Sequence, residues 1–190
     1  MAADLAAARL NMVESQVRTQ DVTDVRIHDA MREIAREACL PRDKAYLAYA
    51  DMDVEYAPGR PLMRPRNVSK LLQALKPQAG ERALAIAAPY AALVLEHLGL
   101  KVDRLEGEDL RHPAGRDYDI IICEGAVARA PAEWLAALSK NGHLAVVERD
   151  GPVGKAAIYG RAEEGFGRRV IFDATPPVLA GFEAQHGFAF

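Results

Sequence analysis

The run Tyr118-Asp119-Ile120-Ile121-Ile122-Cys123 narrows what this chain can fold into more than any other segment. Its residues are mostly β-branched and apolar at both alternating positions, so neither face of the strand can be left to water. Such a strand belongs inside a sheet covered by helices on both sides. The flanking texture agrees. Residues 82–86 form a short apolar run followed by a helix over 89–98, with Gly99 placed to end it. Residues 101–105 read as a strand, 132–138 as a helix, and Asn141-Gly142 as a turn into a strand over 143–147. Strand and helix alternating in this order predict a mostly parallel sheet with helices on both faces. Residues 155–161 and 168–172 read as an antiparallel pair joined through Glu163-Glu164-Gly165.

Ahead of this α/β region the chain is helical and irregular. A helix is expected over 2–18. A second is capped by Thr23 or Asp24, carries Val25, Ile27, Met31, Ile34 and Ala38 as its apolar stripe, and stops before Pro41. Residues 51–66, with Pro58-Gly59, Pro61 and Pro65, predict irregular or hairpin-like chain. A helix bearing Val68, Leu71, Leu72 and Leu75 opens at Pro65 or Asn67 and is ended by Pro77 and Gly80. The 190 residues suit one domain, with an N-terminal helical and loop portion over 1–78 and a core over 79–190.

Composition removes several classes of function. With 24 Lys and Arg against 27 Asp and Glu the net charge is −3, which gives no general attraction to nucleic acid. No stretch approaches the roughly 18 apolar residues of a membrane span, and residues 1–17 lack the apolar core of a secretory signal. A cytoplasmic location follows by elimination. Cys39 and Cys123 lie far apart, and the five histidines show no ligand spacing, so no metal site is expected and both cysteines read as buried free thiols. Alanine-rich runs beside an aromatic content of 6% describe a helix-forming chain with few polar atoms for chemistry.

Several segments together resemble the protein-L-isoaspartate O-methyltransferase family, in a bacterial subgroup. They are Met12-Val13-Glu14-Ser15-Gln16-Val17-Arg18 with Val22-Thr23-Asp24, Ala30-Met31-Arg32, Ala48-Tyr49-Ala50-Asp51, the Tyr118 strand, Glu124-Gly125-Ala126-Val127, and residues 132–144. The resemblance implies a Rossmann-like, methyltransferase-type sheet that binds S-adenosylmethionine at the carboxyl ends of its strands. It also implies methylation of isoaspartyl side-chain carboxyls in damaged proteins.

At the positions that would do this work the sequence departs from the family. Where the family ends its first strand in an acid and enters a glycine-rich turn, this chain reads Ala85-Ile86-Ala87-Ala88-Pro89-Tyr90. Glycines at such a turn let backbone approach a ligand, and free amides at the helix start face its polar groups. Alanines serve packing instead, and Pro89 offers no amide hydrogen. Residues 99–117 must cover a span in which the family carries two strands and at least one helix, so about one strand-helix unit is missing. Glu106 or Glu108 would stand in for the family's ribose-binding carboxylate, or is a solvated loop acid. Met63 falls where the family places a serine near the substrate carboxyl, and a thioether donates no hydrogen bond.

Two other features are candidates. Arg60, Arg64, Arg66 and Lys70 form a basic cluster that would hold an anion or an acidic partner, or is a solvated surface. Glu124 ends the best strand where such folds place ligands. The tail over 174–190, apolar and aromatic, folds back on the core or presents a partner surface. The reading is a non-catalytic homologue with no catalytic residue, no cofactor, and a binding or assembly role with a protein partner or a second copy. The alternatives are an active S-adenosylmethionine-dependent methyltransferase with a divergent pocket, and a small-molecule or peptide sensor using the basic cluster and Glu124.

Overall fold

The computed structural model describes residues 4–184. The central sheet has six strands in the order β4-β3-β5-β6-β7-β8. They are β3 (Arg82–Ile86), β4 (Lys101–Leu105), β5 (Tyr118–Val127), β6 (Leu138–Glu148), β7 (Gly154–Ala162) and β8 (Gly165–Ala174). The pairs β3–β4, β3–β5 and β5–β6 are parallel, whereas β6–β7 and β7–β8 are antiparallel. This is the predicted mostly parallel sheet with its C-terminal antiparallel hairpin. A separate two-stranded hairpin, β1 (Val54–Ala57) with β2 (Arg60–Leu62), occupies the proline-rich stretch.

The alternation within β5 explains the two layers. Ile120 and Ile122 face a core shared with Met12, Val17, Ile27, Leu71 and Leu95. Ile121 and Cys123 face a second core with Trp134, Leu144, Leu179 and Phe182. Helices α1 (Leu5–Met12), α2 (Val25–Glu33), α3 (Pro65–Leu75) and α4 (Pro89–His97) belong to the first side. The second side is covered by one short helix, α5 (Ala132–Ala136), together with a returning segment, 176–182. The connection 106–117 between β4 and β5 contains neither strand nor helix, which leaves β4 at the edge of the sheet.

The helix expected over 132–138 stops at Ala136, and β6 starts at Leu138, so that Asn141-Gly142 lies inside the strand instead of ahead of it. Two further boundaries also differ from the sequence expectation. The helix expected over 2–18 is α1 followed by a π-helical stretch, Val13–Val17, and a 3-10 turn, Arg18–Gln20. The wider π turn keeps both Val13 and Val17 buried, at the cost of regular helix geometry. Asp24 caps α2 by accepting from the Arg26 amide, but the helix ends at Glu33. Ile34 is extended, and Arg36–Cys39 forms a separate 3-10 turn whose Arg36 is buried. Apolar spacing continued through Ala38, and the break lies in the backbone that turns Arg36 inward.

Candidate functional site

Ligands of a parallel α/β sheet sit beyond the carboxyl ends of its strands. Here that end is crowded by the chain itself. β3 ends at Ile86, and Ala87 takes a positive φ of 44° before Ala88 and Pro89 start α4. The backbone thus makes a bend suited to glycine, but with a methyl group present. Ala85, Ala87 and Ala88 are all fully buried. The Ala87 amide donates to the Leu105 carbonyl at 3.0 Å, closing the gap between β3 and β4.

Glu124 lies at the centre of this end. It is fully buried, at a register shift in β5 just before Gly125, whose φ is 119°. One carboxylate oxygen accepts from the Ala91 amide in the first turn of α4 at 2.8 Å, and the other from the Met63 amide at 2.9 Å. The anion-attracting start of α4 is therefore engaged by a side chain of the protein. Burial pushes the Glu124 carboxyl up to about 7, against the lowering influence of the Arg36 charge and the two amides.

Arg36 completes the cluster. Its Nε donates to the Ala48 carbonyl at 2.8 Å and its Nη2 to the Met63 carbonyl. The guanidinium lies 4.6 Å from the centre of the Tyr90 ring, and Tyr90 is itself fully buried. Met63 thus supplies backbone amide and carbonyl to Glu124 and Arg36 while its own side chain is fully buried. Ser69, the nearest hydroxyl in sequence, is buried and donates to the Arg66 carbonyl within α3.

The remaining predicted residues are dispersed. Glu106 directly follows β4, accepts from the Tyr56 hydroxyl at 2.8 Å, and lies 3.6 Å from Arg60. Arg60 also donates to the carbonyls of Glu106 and Gly107. That arrangement corrects the four-residue basic cluster, because Arg60 is committed to the β4–β5 connection. Arg64, Arg66 and Lys70 alone line one cavity beside α3. Asp119, bonded to the Arg82 amide and the Ser139 hydroxyl, lies near the start of β5, at the amino end of the sheet.

Neither cysteine is activated. Cys123 is buried and its thiol is raised by desolvation, while Cys39 is only partly buried, a correction to the expected burial, with burial raising its thiol to about 12. No group of three or more metal-ligating side chains occurs among the described residues.

The returning segment covers the second face beside this site. Ala126 donates to the Pro177 carbonyl at 2.9 Å and accepts from the Leu179 amide at 2.8 Å. Phe182 rests 5.4 Å from Trp134, centroid to centroid, and Arg111 donates to the Gly181 carbonyl at 2.6 Å. Residues 175–184 therefore fold back, as one of the two sequence alternatives holds. The expectation for Phe188, Phe190 and His186 lies outside the described residues.

Neither Arg36 nor Asn67 announces itself in the sequence: at helical spacing Arg36 falls opposite the Ile27, Met31, Ile34 and Ala38 stripe, and Asn67 sits three residues past the cap of a proline-started helix.

A β-strand, turn and helix beginning a mostly parallel sheet, with a carboxylate at the end of the neighbouring strand, define a methyltransferase-type Rossmann protein. Comparison with known proteins makes this specific. A protein-L-isoaspartate O-methyltransferase from Methylorubrum populi is 36% identical over 132 residues, covering 68% of this chain and 57% of the relative. One from Methylorubrum extorquens is 29% identical over 209 aligned positions, covering 94% and 91%. The chain thus spans just over half of the first relative and nearly all of the second. No family model matches the chain.

Among solved structures, a protein-L-isoaspartate O-methyltransferase from Plasmodium falciparum, in complex with S-adenosyl-L-homocysteine, superposes with a TM-score of 0.71 at 14% identity. It covers 90% of this chain and 97% of that one. A second enzyme of that name gives 0.72 at 16% identity, covering 91% and 66%. The chain belongs to the protein-L-isoaspartate O-methyltransferase family.

Proposed function

We propose that this protein is a non-catalytic member of its family, one that does not use S-adenosylmethionine and serves as a scaffold for binding or assembly. The observation that carries the reading is the placement of Glu124. Its carboxylate takes the Ala91 amide at the start of α4, where a ligand's polar groups would be received. A second anionic or carboxylate-bearing group at that helix start would meet a buried acid already satisfied by two amides.

The surrounding residues support the same reading. Ala85 offers no acid, and Ala87 and Ala88 bring methyl groups into a turn where a ligand needs bare backbone. Met63 offers a thioether where a hydroxyl would assist a carboxyl. With these side chains the residues present do not fit S-adenosylmethionine. The partner would be another protein or a second copy of this chain. No helix among the described residues is long and apolar enough to cross a membrane.

The second reading is an active methyltransferase with a divergent pocket. It is favoured by the names its relatives carry and by the S-adenosyl-L-homocysteine bound in the Plasmodium protein. Calorimetry of the full chain with S-adenosylmethionine and with S-adenosylhomocysteine separates the two. The first reading expects no heat of binding from either and no methyl transfer to an isoaspartyl peptide. Micromolar binding of either ligand would overturn it, and methyl transfer would establish the second.

A further inference from the structure

We infer that the cavity beside the start of α3 is a binding site for a compact, doubly charged oxyanion of the phosphate type. The cavity holds about 300 Å³ and is bounded by Arg64, Arg66, Asn67 and Lys70 on one side and by residues 172–175 at the end of β8 on the other. Its volume admits a phosphate group together with several waters.

Three observations converge on an anion. The first is Asn67, which is only 7% exposed and lines the cavity, yet its side-chain amide makes no hydrogen bond with any described residue. The amide is open to the cavity and free to donate to an acceptor bound there. The second is Lys70. Its ammonium lies 4.8 Å from the centre of the Phe172 ring and is matched to no carboxylate among the described residues. The third is α3 itself, an eleven-residue helix without a side-chain cap, where Pro65 has no amide hydrogen and the Asn67 amide bonds the Arg64 carbonyl, so that the Arg66 amide alone of the first three is left to a ligand.

The other charges on the cavity wall do not cancel this. Arg64 is held by Asp53 at 3.2 Å and Arg66 by Asp51 at 3.3 Å, and those acids do not line the cavity. Asp173 does line it, but its carboxylate is bonded to Lys155 at 2.7 Å. With those three pairs formed, Lys70 is the cation on the wall left without a carboxylate among the described residues. Arg64, Arg66, Lys70 and the Asn67 amide supply the donors that would receive a phosphate, with the Thr175 hydroxyl beside them on the wall. The site is separate from the Glu124 cluster and does not depend on whether S-adenosylmethionine binds.

The test is a titration of the full chain with inorganic phosphate at low ionic strength, followed by calorimetry and by amide chemical shifts. Phosphoserine and acetate are titrated in parallel, and Lys70→Ala, Asn67→Ala and Arg60→Ala are measured beside the parent. Saturable phosphate binding is expected, with shifts confined to residues 64–70 and 172–175. Lys70→Ala should weaken it about tenfold, the size of one charge-assisted hydrogen bond, and Arg60→Ala should leave it unchanged. Phosphoserine should bind as phosphate does. No saturable phosphate binding, equal binding of acetate, or equal weakening by Arg60→Ala would each overturn the assignment. Lys70 is a partly exposed helix residue, so its variant remains informative if Asn67→Ala does not fold.

Discussion

Glu124 shows how one side chain can set both stability and its pH dependence. Its carboxyl is raised from 4.5 in the unfolded chain to about 7 in the folded one. Between those values the native state holds a proton that the unfolded state has released. The contribution is fully present below 4.5 and is lost as pH rises through about 7, amounting to about 3 kcal/mol. Chemical denaturation of the parent and of Glu124→Gln between pH 5 and 8 should show that slope in the parent only. Glutamine presents an NH2 group to one of two amides that need an acceptor, so the variant should also be less stable by roughly 1–3 kcal/mol at pH 5. An unchanged slope would remove Glu124 as the titrating group. Ala87 gives a second test at this scale. Relief of its positive φ and loss of its buried methyl oppose each other, so Ala87→Gly should lie within about 1 kcal/mol of the parent. Ala85→Gly, in strand geometry, loses a buried methyl with no such relief and should cost clearly more.

The elements divide by how locally their cause is written. β5 was legible because a strand apolar on both faces has one stable home, and β3, α4 and β4 follow from spacing and punctuation. That the connection after β4 holds no further strand or helix was legible in the few residues available over 99–117. The end of α2 was not, because Ile34 keeps the helical period while its backbone is extended to bring Arg36 under Tyr90. At the site, Glu124 was legible as the residue ending the best strand, but its bond to the start of α4 depends on tertiary placement that no local pattern encodes. Asn67 and the split of Arg60 from the other cations are of the same kind. The returning segment can be tested directly, since Phe182 packs on Trp134, the single tryptophan. Phe182→Ala should destabilise the protein by about 3 kcal/mol and shift the native tryptophan emission to the red. Unaltered emission and stability would mean that the segment is not docked in solution.

Across the whole molecule the sheet is anchored from its middle. β3, β5 and β6 carry buried residues on both sides, whereas β4 and β8 are edges with mostly exposed or half-exposed positions. Hydrogen exchange should therefore rank β5 amides as the slowest, near the global unfolding limit, with β4 and β8 opening in smaller events. Uniform protection across the sheet would contradict this layering.

β4, at the edge of the sheet, is a border with an unsatisfied row of backbone groups, a template on which another strand could grow. Lys101, Asp103 and Arg104 stand along that border, with Asp103 tied to Arg82 at 2.7 Å and Arg104 to Glu96 at 2.8 Å. Charges in such places keep borders from zipping together. A β4 rewritten in threonine and valine removes that protection, and should aggregate at concentrations at which the parent does not.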